Sequence, residues 1–153
     1  MSIQIRMGIV GACGRGGGFT AGCQDAGVTV AAVCDINRER LQEAAKAMGA
    51  PAAYDQYDAM LEKAKLDAVI LGTPMACHAP QAIAALERGV SVLSEVTAGV
   101  SVEECRALAR ACRRSKGVYM MAENYTYMKP NVVVREMVRR GAFGTPYYGE
   151  GEY

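Results

Sequence analysis

A glycine-rich turn and a carboxylate downstream of it are the residues of this sequence most able to bind a phosphorylated ligand. The turn, residues 11–18, follows the apolar run 7–10, and Asp35 follows a second apolar run, residues 28–34. Backbone amides at the start of a helix can bind a pyrophosphate, and a carboxylate at the end of the next strand can accept hydrogen bonds from ribose hydroxyls. The order strand, turn, helix, strand and acidic residue is therefore typical of a dinucleotide-binding βαβ unit.

The turn departs from the usual dinucleotide-binding fingerprint at one position. The pattern G-x-G-x-x-G, read from Gly11, gives Gly11-Ala12-Cys13-Gly14-Arg15-Gly16, so Cys13 takes the place of the middle glycine. We expect its side chain to push the phosphates outward or to shift the turn, with Gly14 compensating through its freer backbone. The alternative is a glycine-rich turn that only packs a helix against a strand.

The hydrophobic pattern and the turn residues predict alternating strands and helices along the chain. The predicted strands are residues 6–11, 28–34, 52–54, 68–71, 90–93 and 118–121. The predicted helices lie near residues 17–27, 38–48, 55–65, 77–88, 101–115 and 130–140. This alternation predicts an α/β fold with a doubly wound parallel sheet, a three-layer Rossmann arrangement with helices on both faces.

Capping residues set the expected starts of individual helices. Asn37, Asp55 and Ser101 are predicted N-caps, and Glu104 completes a capping box with Ser101. The last helix, residues 130–140, is amphipathic, and we expect its apolar positions to face inward. Those positions are Val133, Val134, Met137 and Val138.

The carboxyl ends of parallel strands meet at one edge of the sheet, which is where such folds bind ligands. We therefore expect the segments that follow five of the strands to converge on one crevice. These segments are residues 11–16, 35–38, 73–78, 95–97 and 123–125.

Composition and charge exclude several classes of partner for the 153-residue chain. The net charge is +1, 22% of the residues are charged and 51% are hydrophobic, which is ordinary for a globular domain that binds neither nucleic acid nor a membrane. The six cysteines form no C-x-x-C pair, and His78 beside Cys77 does not make a metal site. We expect reduced thiols, no bound metal and a cytoplasmic location.

Motifs spread along the chain carry a resemblance to a known enzyme family. They are Gly8-Ile9-Val10-Gly11-x-x-Gly14-Arg15-Gly16, Val33-Cys34-Asp35, Asp67-Ala68-Val69-Ile70-Leu71-Gly72-Thr73-Pro74 with His78, Ala84-Ala85-Leu86-Glu87-Arg88-Gly89, Val92-Leu93-Ser94-Glu95 and Arg140-Gly141-x-Phe143-Gly144. With these motifs the sequence resembles the N-terminal half of the Gfo/Idh/MocA oxidoreductases, which include glucose–fructose oxidoreductase and inositol dehydrogenase. The resemblance implies an NAD(P)-binding Rossmann domain followed by a larger domain that carries much of the substrate site.

The resemblance also implies a domain boundary near the end of the chain. Residues 1–144 would form the dinucleotide-binding domain, and residues 145–153 would begin a substrate and oligomerisation domain that this chain lacks. We therefore expect a fragment or a truncated product. The tyrosines of the tail would have no inner face to pack on, so we expect the tail either to move freely or to pair with another chain.

Carried over by position, the resemblance assigns the adenosine half of the cofactor to the first two junctions. The turn from Gly11 to Gly16 would hold the pyrophosphate. Asp35 would bind the adenosine ribose and favour NAD over NADP, because its charge repels a 2′-phosphate. Arg38 would lie along the adenine, or it would be a solvated charge at the start of a helix.

The same resemblance assigns the later junctions to the rest of the cofactor. Thr73 and Pro74 would border the adenosine half, and His78 would lie nearer the nicotinamide or be a structural histidine without a ligand. Glu95 would contact the nicotinamide ribose, and Asn124 would lie close to the carboxamide or the substrate. The predicted cofactor-binding residues are thus Gly11, Cys13, Gly14, Arg15, Gly16, Asp35, Arg38, Thr73, Pro74, His78, Glu95 and Asn124.

The position that usually carries the proton-transfer group departs from the family pattern. Members commonly have Glu-Lys-Pro after the fifth strand, and the lysine helps to move the hydroxyl proton during hydride transfer. Here the triplet is Glu95-Val96-Thr97, and valine cannot transfer a proton. Some relatives with valine here resemble NAD-dependent glycosidases, which oxidise a sugar transiently, eliminate the aglycone and reduce the sugar again. Tyr125 and Tyr127 lie near the right junction, but no catalytic residue is assigned.

Three functions stay open from the sequence. The first is the NAD-binding domain of an oxidoreductase that acts on a sugar or polyol, with little activity in isolation. The second is a glycosidase-type relative that uses the same cofactor without net redox change, to which Val96 points. The third is a non-catalytic nucleotide-binding module, which Cys13 and Val96 favour mildly.

Overall fold

Six short parallel strands form one sheet in the computed structural model, which describes residues 4–151. The strands are β1 (Arg6–Val10), β2 (Thr29–Cys34), β3 (Ala53–Tyr54), β4 (Ala68–Leu71), β5 (Ser91–Ser94) and β6 (Tyr119–Met121). Their order across the sheet is β3-β2-β1-β4-β5-β6, so the chain starts in the middle and moves outward in both directions. This order confirms the predicted doubly wound Rossmann fold.

Helices connect successive strands, because parallel neighbours require a crossover. They are α1 (Thr20–Asp25), α2 (Arg38–Ala47), α3 (Tyr57–Lys63), α4 (Met75–Glu87) and α5 (Val102–Arg114), and α6 (Lys129–Arg139) follows the last strand. Short 3-10 turns, Arg15–Phe19 and Tyr125–Tyr127, precede α1 and α6. None of the helices within residues 4–151 is long and apolar enough to cross a membrane.

The sheet divides the core into two layers of buried side chains. On β4, Val69 and Leu71 belong to one cluster, together with Met60 and Leu86 of the neighbouring helices, whereas Ile70 belongs to the other. All five are at most 2% exposed. Because alternate residues of a strand point to opposite faces, this short apolar run fills both layers.

Two of the predicted N-caps are confirmed. The Asn37 side chain accepts a hydrogen bond from the Arg40 amide at 3.2 Å, and the Ser101 hydroxyl accepts one from the Glu104 amide at 3.1 Å. The Glu104 carboxylate accepts a further bond from the Val100 amide at 2.7 Å. Side-chain acceptors thus satisfy amides that the first turns of α2 and α5 leave unpaired.

Two helix starts differ from their prediction. Helix α3 begins at Tyr57 without the predicted Asp55 cap, because the Asp55 carboxylate pairs with Arg38 instead. The first helical segment, predicted as one helix over residues 17–27, is a 3-10 turn followed by the six-residue α1. The consecutive glycines 16–18 account for the tighter first turn, because glycine stabilises an α-helix poorly.

The described chain divides into two compact units, one ending at Ala122 and the other beginning at Glu123. The prediction that the apolar positions of α6 face inward is wrong, because these positions are exposed. Their exposed fractions are 49% for Val133, 51% for Val134, 39% for Met137 and 41% for Val138. The only other regular element within residues 123–151 is the short 3-10 turn, which cannot form a second layer. Residues 145–151 form no strand, and the predicted tail residues 152 and 153 lie outside the described chain.

Candidate functional site

Three glycines allow the turn after β1 to pack directly on the backbone that follows β4. Gly11 has a φ of +75°, and a Cβ added there would lie 2.5 Å from the Gly72 carbonyl oxygen. A Cβ on Gly16 would lie 2.6 Å from the Val10 oxygen, and one on Gly72 would lie 2.5 Å from the Gly16 Cα. Both Gly11 and Gly16 were predicted from the fingerprint, whereas the role of Gly72 emerges from the structure.

The backbone amides of this turn leave one donor available. The Gly14 and Gly16 amides both donate to the Gly11 oxygen, at 3.1 and 3.0 Å. In the described part of the chain, the Arg15 amide is the one among residues 11–17 that donates to no acceptor. A Cβ on Gly14 would meet no atom closer than 3.8 Å, so the space above the turn is open. An unpaired amide beside an open surface at the start of a helical segment fits the pyrophosphate of a dinucleotide.

The Asp35 carboxylate faces the glycine-rich turn, as the sequence predicts. One oxygen accepts a hydrogen bond from the Cys13 amide at 2.8 Å, and the other accepts one from the Asn37 amide at 2.9 Å. These two bonds hold the half-buried carboxylate between the turns that follow β1 and β2. Its position is therefore fixed before any ligand binds.

The Cys13 side chain does not obstruct the site as expected. Its sulfur lies 3.8 Å from the Asn37 oxygen, and the residue lines a separate cavity beside α2. Burial, and secondly the charge of Asp35, raise the pKa of the Cys13 thiol. A side chain that replaces the middle glycine is accommodated here because it points away from the open surface of the turn.

A cavity of about 770 Å³ opens at the carboxyl ends of the strands. It is bounded by the glycine-rich turn, by Asp35 and Ile36 after β2, by residues 55–58 between β3 and α3, and by residues 72–74 after β4. Its volume lies in the range of pockets that bind small molecules. Three of the five predicted junction segments, residues 11–16, 35–38 and 73–78, therefore line one cavity.

The β2–β3 side of this cavity is acidic. Cys34 pairs with Tyr54 in the sheet, so the next residues, Asp35 and Asp55, end neighbouring strands at the same level. Burial, and secondly the charges of these two carboxylates, raise the pKa of the Cys34 thiol to about 12. Arg38 forms an ion pair with Asp55 at 2.6 Å, and its side chain is largely exposed, as expected of a solvated charge at the start of a helix. Its place along the adenine stays a prediction.

His78 is buried between the turns that follow β4 and β5. It is 1% exposed, its Nε2 lies 2.7 Å from the Thr73 oxygen and its Nδ1 lies 2.8 Å from the Thr97 oxygen. Both ring nitrogens thus face carbonyl oxygens. Any influence of His78 on a bound cofactor would pass through these two carbonyls, since neither nitrogen is left for a ligand.

The Glu95 carboxylate connects the turn after β5 to the glycine-rich turn. Glu95 is 7% exposed and pairs with the Arg15 guanidinium, which also lies 5.7 Å from the centre of the Phe19 ring. The other Glu95 oxygen accepts a hydrogen bond from the Val96 amide at 3.0 Å. The pattern places Val96 where the family commonly has lysine, so this turn carries no titratable side chain at that position.

The remaining predicted residues lie on either side of the unit boundary. Thr73 donates a hydrogen bond from its hydroxyl to the Gln81 side chain at 2.7 Å, and Pro74 is the N-cap of α4; both line the cavity. Asn124 belongs to the unit that begins at Glu123, where it precedes a 3-10 turn. Its place beside the cofactor stays a prediction.

Several cavity residues escaped the sequence reasoning, among them Asp55 and Tyr57. Asp55 was interpreted only as a helix cap, and Tyr57 was not singled out. The Tyr57 hydroxyl donates to the Gln81 oxygen at 2.9 Å, and burial raises its pKa. Asp55 could have been found by analogy, because it follows the third predicted strand as Asp35 follows the second.

Comparison with known proteins agrees with this site. Residues 5–123 match the family described as "Oxidoreductase family, NAD-binding Rossmann fold". The chain belongs to the Gfo/Idh/MocA oxidoreductase family. It is the NAD-binding Rossmann domain of that family, as the motifs indicated.

Curated relatives of this Gfo/Idh/MocA domain are longer than the chain. A glycosyl hydrolase family 109 protein from Shewanella pealeana is 33% identical, over 97% of this chain and 35% of its own length. A protein of the same name from Shewanella woodyi is also 33% identical, over 97% of this chain and 34% of its own. The chain thus spans about a third of the length of these relatives.

Solved structures of dehydrogenases share the fold. Myo-inositol 2-dehydrogenase from Lactobacillus plantarum superposes with a TM-score of 0.87 at 20% identity, over 94% of this chain and 43% of that one. The WlbA dehydrogenase from Bordetella pertussis, solved in complex with NADH and UDP-GlcNAcA, gives 0.83 at 28% identity, over 93% of this chain and 44% of that one. The first likeness supports the fold alone.

Proposed function

We propose that this domain binds NAD in preference to NADP and forms the cofactor half of an enzyme that acts on a sugar or polyol. The observation that carries the proposal is the fixed Asp35 carboxylate, which lines the cavity and is held by the Cys13 and Asn37 amides. In that position it can accept hydrogen bonds from the adenosine ribose, and its charge opposes a 2′-phosphate. The NADH named in the WlbA complex supports the same cofactor class.

Within this proposal, each junction has a binding task. The Arg15 amide and the backbone of residues 11–16 hold the pyrophosphate, and Thr73 and Pro74 border the adenosine half. Glu95 and Asn124 lie toward the nicotinamide half, where the bound ring supplies hydride transfer. Cys13 contributes through its amide, which fixes Asp35, and not through its thiol.

The isolated domain is expected to catalyse little. Val96 offers no proton donor or acceptor at the position of the usual lysine, and the substrate domain implied by the resemblance would begin at residues 145–153. The exposed tail tyrosines, Tyr147 and Tyr148, are the proposed contact for a second chain. Sedimentation of a chain that ends at Gly144 should then show a smaller average mass than the full chain, and equal masses would argue against this contact.

Calorimetric titration tests the cofactor proposal directly. We expect NAD to bind with a Kd below the millimolar range and NADP about tenfold more weakly. Asp35→Ala should weaken NAD binding about tenfold, because the ribose hydroxyls lose a charged acceptor, and should remove most of the difference between the two cofactors. Glu39→Ala removes an exposed carboxylate from the first turn of α2 and is the matched control, which should behave like the unchanged chain.

Two outcomes would overturn the proposal. One is a chain that is folded by circular dichroism but shows no heat of binding at millimolar NAD. The other is an Asp35→Ala variant that binds NAD as tightly as the Glu39→Ala control, because the carboxylate would then read no ribose.

A second function is favoured by two observations. Val96 replaces the usual lysine, and the curated relatives at 33% identity are named glycosyl hydrolase family 109 proteins. A complete protein of this kind would cleave a glycoside with the same cofactor and without net redox change. Release of the aglycone from a chromogenic glycoside while NADH absorbance stays flat would select this function, and stoichiometric NADH formation would select the dehydrogenase.

A further inference from the structure

We propose that Asp55 is a specificity-determining residue, which excludes NADP by holding Arg38 in an ion pair. The inference rests on the proposed function, because it concerns the ribose end of the same cavity. It adds a second carboxylate to the discrimination that Asp35 alone would provide. It assigns the arginine three residues after Asp35 to an ion pair and not to a 2′-phosphate.

The register of two short strands brings the carboxylates together. β2 and β3 pair Val33 with Ala53 and Cys34 with Tyr54, and the Asp35 amide donates to the Tyr54 oxygen at 3.1 Å. The residues that follow these strands therefore start their turns side by side. Both Asp35 and Asp55 line the cavity, so both charges act on the same part of a ligand.

Arg38 pairs with a carboxylate that lines this end of the cavity, so its guanidinium is already occupied. Arg38 is the first residue of α2, and its Nη2 lies 2.6 Å from the Asp55 Oδ2. The Arg38 side chain is 75% exposed and the Asp55 side chain is 36% exposed, so the pair is accessible to solvent. Arginine recognises phosphate through paired charge-assisted hydrogen bonds, and a carboxylate partner competes for the same donors.

The other charges around the cavity are engaged as well, because Arg15, the arginine that lines it, pairs with Glu95. Asp58 also lines the cavity and pairs with Arg88 at 3.1 Å, so it adds another carboxylate whose cation is engaged. Arg40 is near enough to lower the pKa of the Cys13 thiol in part, but it lines the separate cavity beside α2. A 2′-phosphate at the ribose would therefore meet the Asp35 and Asp55 carboxylates, while the charge of Arg38 is neutralised by Asp55.

The Asp35 and Asp55 carboxylates act in different ways, so substitutions of the two residues should change NADP affinity differently. Asp35 repels the 2′-phosphate directly, and Asp55 acts through Arg38. In an Asp55→Asn variant the Arg38 guanidinium faces a neutral amide, which a dianionic phosphate displaces more readily than it displaces a carboxylate. Removal of the Asp35 charge alone lifts the direct repulsion but leaves Arg38 paired, so NADP gains only part of the affinity. Removal of both charges leaves a free guanidinium beside the ribose.

Calorimetry with NAD and NADP on a set of variants tests the inference. We expect Asp35→Asn to raise NADP affinity by less than about threefold, and the double variant Asp35→Asn with Asp55→Asn to raise it by about a further tenfold. Adding Arg38→Ala to the double variant should abolish that gain. The gain should also shrink as the salt concentration increases, because it depends on a partly exposed charge pair.

Asp58→Asn in the Asp35→Asn background is the matched control. It removes a carboxylate from the same cavity but leaves Arg38 paired, so NADP affinity should rise by less than about twofold. An equal gain from Asp55→Asn and Asp58→Asn would overturn the inference, because the effect would then be general electrostatics. A gain that survives Arg38→Ala would overturn it as well.

The outcome also separates this inference from the proposed function. If the unchanged chain binds NAD and the double variant binds NADP no better than Asp35→Asn, the role of Asp55 is wrong and the proposed function stands. If the unchanged, folded chain does not bind NAD at millimolar concentration, the proposed function fails and the role of Asp55 fails with it.

Discussion

The turns after β1 and β5 end at the same edge of the sheet, but different kinds of contact hold them. The turn after β1 packs backbone on backbone, because Gly11 and Gly16 meet Gly72 with no side chain between them. The turn after β5 is held by side chains: His78 reaches the Thr97 oxygen, and Glu95 pairs with an arginine. The two halves of the proposed cofactor would thus rest on supports of different stiffness.

The difference has a physical consequence for sequence variation. A close backbone contact tolerates only glycine, because any Cβ must overlap atoms that cannot rotate away. A side-chain contact can be replaced by another of similar shape, so the turn after β5 can vary while the fold persists. Val96 lies in this second turn. A residue there can change the chemistry while the backbone-packed turn that would bind the cofactor stays the same.

Gly72→Ala should be the most damaging substitution on the backbone-packed side. The new Cβ would lie 2.5 Å from the Gly16 Cα, so the turns after β1 and β4 must separate. We expect a loss of about 3 kcal/mol in the free energy of unfolding, together with loss of NAD binding. Urea denaturation and calorimetry measure the two effects.

Gly22→Ala is the matched control for this substitution. Gly22 lies inside α1 and a Cβ there meets nothing within 4 Å, so alanine should stabilise the chain by about 0.5–1 kcal/mol. If both substitutions lower the free energy of unfolding by similar amounts, the close backbone contact at Gly72 is not the cause of the loss.

His78→Ala tests the side-chain support of the turn after β5. It removes a buried ring whose nitrogens face the Thr73 and Thr97 oxygens, and we expect the free energy of unfolding to fall by about 2 kcal/mol. Met75→Ala, an exposed change in the first turn of the same helix, should alter it by less than about 0.5 kcal/mol. Equal unfolding midpoints for the two variants would show that the carbonyl contacts contribute nothing to stability.

The backbone-packed side of the site was largely predictable from the sequence. Glycines placed after an apolar strand require a tight turn, and Asp35 at the end of the next strand has one edge of the sheet to face. These features depend on residues close together in the chain, where spacing translates directly into geometry. The doubly wound parallel sheet followed from the alternation of strands and helices, whereas the order of its strands comes from the structure.

The side-chain contacts were not predictable, because they depend on register between distant segments. The Arg38–Asp55 pair requires the two-residue β3 to align with the end of β2, and the His78 ring bridges oxygens of residues 73 and 97. The prediction that the apolar face of α6 is buried failed for another reason. Amphipathic spacing indicates which face of a helix is apolar, but it does not show whether residues 4–151 contain an element that covers that face.

The ion pair between Arg15 and Glu95 is the contact that joins the two turns, and it should have the smallest effect. Arg15→Gln, Glu95→Gln and the double variant define a double-mutant cycle in urea denaturation. We expect a coupling energy of about 1 kcal/mol at low salt, discounted because the Arg15 side chain is 63% exposed, and a smaller value at high salt.

The Arg88–Asp58 pair is the control with which the coupling energy of the Arg15–Glu95 pair is compared. Its carboxylate is 72% exposed, whereas that of Glu95 is 9% exposed, so solvent screens the Arg88 pair more strongly. A cycle on Arg88→Gln and Asp58→Asn should therefore give a coupling below about 0.5 kcal/mol. If the Arg15 pair couples no more strongly than this surface pair, the turns after β1 and β5 are supported independently. A stronger coupling means that the Arg15 guanidinium links the turn after β5 to the backbone-packed turn after β1.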